Sequence, residues 1–217
     1  VLNALSKKAV KLTTALALTF QSLLLTGATT AQAHPHIWID AFVTLHFDEG
    51  AINRISVHWA FDELYSGVVI QDYDENGNGK LDPNELAQIT AESREALRDY
   101  NYFTYLTLGQ DVLGLTDVED LQVTVDKDIL VYDFSTPLPR PVDPHETDFS
   151  FSLYDETYYV ELLLDEEVPV RVEGKLPGNC YASVNENNAF QAVEPADGII
   201  NYSFGFPRVV NIACDKT

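Results

Sequence analysis

"HIWIDAFVTLHFDEGAINRISVHWAF", residues 36–61, decides the fold. Ile37, Ile39, Ala41, Val43, Leu45 and Phe47 fall on one side of an alternating run, with His36, Trp38, Asp40, Phe42, Thr44 and His46 on the other. A period of two is the signature of a strand with one face buried. "DEGA" at 48–51 supplies turn residues, and Ile55, Val57, Trp59 and Phe61 then alternate with Arg54, Ser56 and His58. The two runs predict an antiparallel hairpin.

Beyond the hairpin the pattern changes to helix spacing. Leu64, Tyr65, Val68 and Val69 recur within Asp62 to about Gln71, and Leu86, Ile89, Ser93, Leu97 and Tyr100 within Pro83 to about Tyr100. The chain then returns to short strand-like segments, "YFTYLTL", "LQVTV", "ILVYDF", "FSFSLY", "YYVELLL", "VRVEG", "IINYSF" and "RVVNIA", separated by Pro, Gly, Asp or Asn. The Pro-rich "TPLPRPVDP" at 136–144 reads as a linker or an edge-strand loop. The expected class is α+β, mainly antiparallel β: a sandwich, with the immunoglobulin-like arrangement as one candidate.

Between the two helices lies "DENGNGKLDPNE", Asp74 to Glu85, which fits the twelve-residue EF-hand loop. Asp74, Asn76 and Asn78 fill positions 1, 3 and 5. Gly79 stands where the chain must turn sharply, Lys80 offers its carbonyl at 7, Asp82 can act through water at 9, and Glu85 is the bidentate carboxylate at 12. Starting at Asp72 would put Pro83 at position 12, where it cannot ligate. Asp82 also suits the cap of the exit helix and Pro83 its first turn. Calcium is therefore expected in an EF-hand insertion at about 62–101. Asn at two ligand positions lowers the charge and implies weak affinity, so the ion acts as a structural clip.

Residues 1–33 carry Lys7, Lys8 and Lys11, an apolar run from about Leu12 to Leu25, and the small-residue ending Ala31-Gln32-Ala33. That is the pattern of a cleaved signal peptide, too short and too polar to span a bilayer. The expected mature chain is a single β-rich domain, 34–217, in the periplasm. Its formal charge moves from −21 to −24 as three lysines and no acids leave. Such a surface repels phosphate backbones, so nucleic acid is excluded as a partner, whereas divalent cations are attracted. Cys180 and Cys214 are the only cysteines. In an oxidising compartment, and without C-x-x-C spacing, they are expected to form a disulfide.

Cleavage after Ala33 would expose His34, with His36 two residues on. The terminal amine and the imidazoles suit copper, nickel, cobalt or zinc. An amide-deprotonated amino-terminal copper site fails because Pro35 has no N–H. A hairpin register pairing even with even positions puts His36 and Asp40 on the face of His58 and Asp62. A shift by one puts His58 on the other face, and the sequence leaves both open. The candidate transition-metal ligands are thus His34, His36, His58, Asp40 and Asp62. His46 and His145 read as solvated, and Tyr154, Asp155, Tyr158 and Tyr159 as core rather than site.

"HPHIWID" at 34–40, "HWAFDELYS" at 58–66, the acidic Gly-rich loop followed by "NEL", "YNYFTYL" at 100–106, "SLYDETYYVEL" at 152–162 and the closing "VNIAC" resemble the domain-of-unknown-function family numbered 1007. The resemblance covers the whole mature chain. It implies a periplasmic component of an uncharacterised ABC-type transport system, found beside nickel/cobalt-type transporters and without established catalytic residues. The expected function is that of a periplasmic metal-binding accessory protein that delivers or senses a transition metal for a membrane transporter, not an enzyme. Two readings from other classes stand beside it: a copper oxidase of the histidine-brace kind, and a calcium-dependent structural or interaction module. No Ser-His-Asp set, phosphate loop or H-E-x-x-H supports hydrolase chemistry.

Overall fold

Strands β1 (Ile37–Asp48) and β2 (Ala51–Phe61) form the expected antiparallel hairpin. They are joined by a two-residue turn in which Glu49 and Gly50 both have positive φ, +49° and +87°. That is the turn whose twist matches paired strands. In this computed structural model, residues 36–165, 168–186 and 208–214 are described. Residues 1–33, read above as a signal peptide, His34, Pro35 and the segment "IINYSF" lie outside the described residues.

Ile39, Ala41, Val43 and Leu45 of β1, with Ile55, Val57 and Trp59 of β2, are each no more than 2% exposed. The register changes between His46 and Phe47, so that Phe47 pairs with Ile52 while His46 pairs with Arg54. This bulge explains why Ile52 and Ile55, of opposite parity, are both buried.

Helix α1 (Glu63–Tyr73) follows β2, with Asp62 as its N-cap accepting from the Tyr65 amide. Helix α2 (Pro83–Arg98) begins with a capping box, in which Asp82 accepts from the Glu85 amide and the Glu85 side chain accepts from the Asp82 amide. The pair makes a helix-loop-helix with its loop over residues 74–82. The inward face of α1 is not the Leu64/Val68 stripe, since Leu64 is 75% and Val68 49% exposed. Ser66 and Val69 are buried instead. The Ser66 hydroxyl accepts from the buried Leu130 amide at 3.0 Å, and only a residue this small lets the helix backbone approach the sheet that closely.

Nine further strands follow among the described residues: β3 (Thr104–Leu108), β4 (Asp111–Gly114), β5 (Glu119–Asp126), β6 (Ile129–Val142), β7 (Phe149–Leu153), β8 (Val160–Leu164), β9 (Val170–Glu173), β10 (Cys180–Glu186) and β11 (Arg208–Cys214). One sheet has the order β5-β6-β2-β1-β8 with β9 also on β1; the other is β10-β11-β7-β3-β4. Buried side chains of both sheets, Val43, Trp59 and Phe134 with Leu106, Phe151 and Val210, belong to one hydrophobic core. The described residues are therefore mostly β, in two antiparallel-rich sheets with two helices.

Three segments differ from expectation. The outer edge of β1 is paired in parallel, first by β8 and then by β9. Tyr102 and Phe103 are not in a strand: with Asn101 they form a tight turn at φ +54°, +48° and +47°. Burial of both rings and the Tyr102 hydroxyl donating to the Arg94 carbonyl hold this costly conformation. The Pro-rich stretch is no linker, because β6 runs through it to Val142. Its β5 partner ends opposite Ser135, so beyond that point β6 is paired on its β2 flank, with Pro137 opposite Arg54 and, after an irregularity, Val142 opposite Ile52. Among the described residues no helix is long and apolar enough to cross a membrane.

Candidate metal centre

Even-with-even pairing is the register observed: Asp40 faces Ala60, Phe42 faces His58, and Thr44 faces Ser56. Directly opposed residues share a face, so Asp40 and His58 are diagonal neighbours on the outer side of the larger sheet. On its other flank β2 pairs with β6, and there His58 is directly opposite Asp133. The His58 Nδ1 to Asp133 Oδ1 distance is 2.7 Å. A carboxylate can only accept, so in the neutral ring it holds the proton on Nδ1 and leaves Nε2 with its lone pair. The same arrangement fixes metal-binding imidazoles from their far side.

Phe42 completes the local packing. His58 stacks on it from β2 at a centroid distance of 4.5 Å and 20° between planes, and the Arg171 guanidinium from β9 lies 3.4 Å from its centroid. Two open hollows, of about 340 and 530 Å³, meet at Phe42 and His58. The smaller is lined by Asp120, Gln122, Asp133 and Ser135; the larger by Asp40, Asp165, Arg171 and Arg208. The face thus combines one oriented imidazole, carboxylates on both sides and two arginines lining the larger hollow.

The other proposed transition-metal ligands are not gathered there. His36 donates its amide to the Tyr159 carbonyl at 2.9 Å, and its ring lies 4.8 Å from that of Tyr159. At the ordinary strand rise, four residues put it about 13 Å from Asp40 and six put it about 20 Å from the level of His58, beyond the span of one ion. Asp62 has both oxygens engaged, Oδ1 by the Tyr65 amide and Oδ2 by the Trp38 amide at 3.0 Å, which makes it the clasp between hairpin and helix. His34 lies outside the described residues.

His46 is half-buried with Nε2 2.7 Å from Ser56 Oγ and Nδ1 3.0 Å from Glu173, rather than solvated. Asp155, which is buried, accepts from the Thr157, Tyr159 and Val160 amides and so holds the turn before β8.

In the helix-loop-helix, Asp74 accepts from the amides of Asn78 at 3.1 Å and Gly79 at 2.6 Å, and Asn78 Oδ1 accepts from the Lys80 amide. Gly77 and Gly79 take φ of +69° and +78°. Glu85, 5% exposed, reaches back to the Glu75 amide at 2.9 Å and lies 3.3 Å from Asn76 Nδ2. Asp74, Asn76 and Asn78 are thus tied together by hydrogen bonds within one loop, and Glu85 closes it against α2 with Oε1 on the Glu75 amide and Oε2 on the Asp82 amide.

Sequence reasoning missed Asp133, Phe42 and Arg171. The available signal for the first was a lone carboxylate inside the apolar run "ILVYDF"; its partner is 75 residues away and no local pattern gives it. Cys180 and Cys214 are bonded to one another, as expected, joining β10 to β11.

Fold and face together define a two-sheet β protein with a helix-loop-helix after its first hairpin and a carboxylate-held imidazole on one open sheet. The chain belongs to the family described as "Protein of unknown function (DUF1007)", whose model matches residues 19–197. It is also similar to an uncharacterized 15.5 kDa protein in the trpE 3′ region of Spirochaeta aurantia, 28% identical over 105 residues that cover 48% of this chain and 74% of that protein.

Proposed function

We propose that the protein handles transition-metal ions in the periplasm, binding them exchangeably at His58 and passing them to a membrane transporter. The observation that carries this reading is the 2.7 Å pair between Asp133 and His58 Nδ1, which leaves Nε2 as a preorganised neutral donor beside Asp40. Two protein ligands leave coordination positions to water or to a partner's side chain, which suits hand-over better than storage. Zinc, nickel, cobalt and copper all accept imidazole and carboxylate, and the net charge of −21 concentrates any of them at the surface. His34 and His36 form a separate, amino-terminal pair of donors that feeds the same ions. Arg171 and Arg208, lining the larger hollow, favour an ion that arrives with an anionic co-ligand.

The helix-loop-helix is an EF-hand that holds calcium through Asp74, Asn76, Asn78, the Lys80 carbonyl and Glu85, with Asp82 capping α2. Calcium clips the insertion to the two-layer β-sandwich. Calorimetric titration of zinc and nickel into the protein, His58→Ala and the His34→Ala/His36→Ala double variant tests the transition-metal reading. Each set is expected to remove a distinct binding event. Peroxide-dependent turnover with copper at His34 would instead favour the histidine-brace oxidase, and calcium-dependent association without transition-metal binding the interaction module.

A further inference from the structure

At the far end of the second sheet, His145 stands beside the disulfide. Its Nδ1 lies 3.0 Å from Asp143 Oδ1, which also accepts the His145 amide at 2.9 Å. These two bonds fix the ring, and its Nε2 comes 3.7 Å from Cys180 Sγ and 3.3 Å from Asn179 Oδ1. Cys180 is the direct register partner of Cys214 across β10 and β11. One imidazole nitrogen and both sulfurs thus lie within 4.8 Å of one another, and none of the three residues is fully buried. Among the described residues no other set of three such ligands comes together.

A histidine held from behind by a carboxylate, facing two sulfurs, has the donor atoms of a zinc site with one position open. The disulfide hides those donors, because a bonded sulfur pair carries no thiolate. We infer that Cys180, Cys214 and His145 form a thiol-gated site for a soft or borderline divalent ion, closed in the disulfide form and open when a dithiol reduces it. In the opening step the reductant's two thiols give up two electrons and two protons. The Cys180–Cys214 bond breaks, two protein thiols form, and the reductant leaves as its own disulfide. Zinc then displaces both thiol protons to solvent and takes two thiolates and the His145 Nε2, with water in the fourth position. The strand pairing of β10 with β11 holds the two sulfurs on adjacent strands in both states.

This site is independent of His58: it lies on the other sheet and its donors are sulfur-rich. Cobalt separates the two, because thiolate ligands give an intense near-ultraviolet charge-transfer band that imidazole and carboxylate cannot. Protein reduced with a phosphine, freed of it under anaerobic conditions and titrated with cobalt chloride is expected to develop that band at one equivalent and to lose it on adding zinc. The disulfide form is expected to show none. His145→Ala, which keeps both thiols, should bind at least tenfold more weakly, and Asp143→Asn should fall between the two. As a second readout, one equivalent of zinc should slow alkylation of the thiols by iodoacetamide at least tenfold in the parent and not in His145→Ala. Absence of the band and of protection in the reduced parent, or equal affinity in His145→Ala, would overturn the inference.

Discussion

His58 and Asp133 are direct partners in the β2–β6 register, and the imidazole and carboxylate meet at 2.7 Å on the outer face of the sheet. The pair is half-exposed and closes no core, so removing the carboxylate tests orientation rather than folding. Asp133→Asn can present a carbonyl oxygen but no anionic acceptor to hold the Nδ1 proton. We expect its affinity for zinc or nickel at this site to fall about 10- to 100-fold, as for lost outer-shell partners of metal-binding histidines, with an unchanged far-ultraviolet circular dichroism spectrum. Unaltered affinity would mean that Asp133 orients nothing.

Calcium should stabilise the protein by mass action. A free concentration tenfold above Kd adds about 1.4 kcal/mol, visible as a rise in Tm that EDTA reverses. Glu85→Gln keeps one oxygen, for either the Asp82 amide of the capping box or the Glu75 amide but not both, and loses the bidentate carboxylate. Its Tm is expected not to respond to calcium, and a response equal to the parent's would place the ion elsewhere.

Ser66 is the point at which α1 rests on the sheet. Ser66→Ala leaves the buried Leu130 amide without an acceptor, and denaturant unfolding should show a loss of about 1–3 kcal/mol. Leu64→Ser, two residues away on the exposed side, should stay within about 0.5 kcal/mol of the parent. Equal effects would mean that the helix sits differently on the sheet.

Two glycines with the same φ separate backbone strain from collision. Gly50 and Gly174 both have φ of +87°. A Cβ on Gly50 would lie 3.9 Å from Pro177, whereas one on Gly174 would lie 2.2 Å from the Phe47 carbonyl oxygen. Gly50→Ala should cost about 1–2 kcal/mol for left-handed geometry alone. Gly174→Ala should cost clearly more, because Phe47 backbone cannot move without disturbing the β1–β9 pairing.

Burial raises the carboxyl pKa of Glu161 above its usual value, with Arg208 partly opposing the shift. A raised folded-state pKa means that the protonated form fits the fold better. The favourable contribution is present below the ordinary carboxylate pKa and is lost as pH rises through the raised value. Glu161→Gln is therefore expected to match the parent in Tm near pH 4 and to exceed it at pH 7. A parent that is the more stable of the two at pH 7 would contradict this sign.

How much could be read in advance follows from what is local. Alternation in residues 36–61 gave both strands, their buried faces and the turn, because one face had to meet the core. The start of α2 was equally legible, since Asp82, Pro83 and Glu85 mark its cap and first turn within four residues. The α1 face was not, because Leu64/Val68 and Tyr65/Val69 both satisfy helical spacing and only the sheet chooses between them. Strands β4 and β10 escaped notice because "DVLG" is short and exposed and "CYASVNE" is mixed in polarity. The Asp133 partner and the meeting of His145 with the cysteines depend on pairings across 75 and 35 residues, which periodicity cannot supply.

The most direct measurement is calorimetric titration of zinc into the calcium-saturated, disulfide-bonded protein and into its His58→Ala variant. The metal-handling account expects the variant to show one binding event fewer, with its fold and its response to calcium retained. Identical stoichiometry and affinity in the two proteins would contradict it.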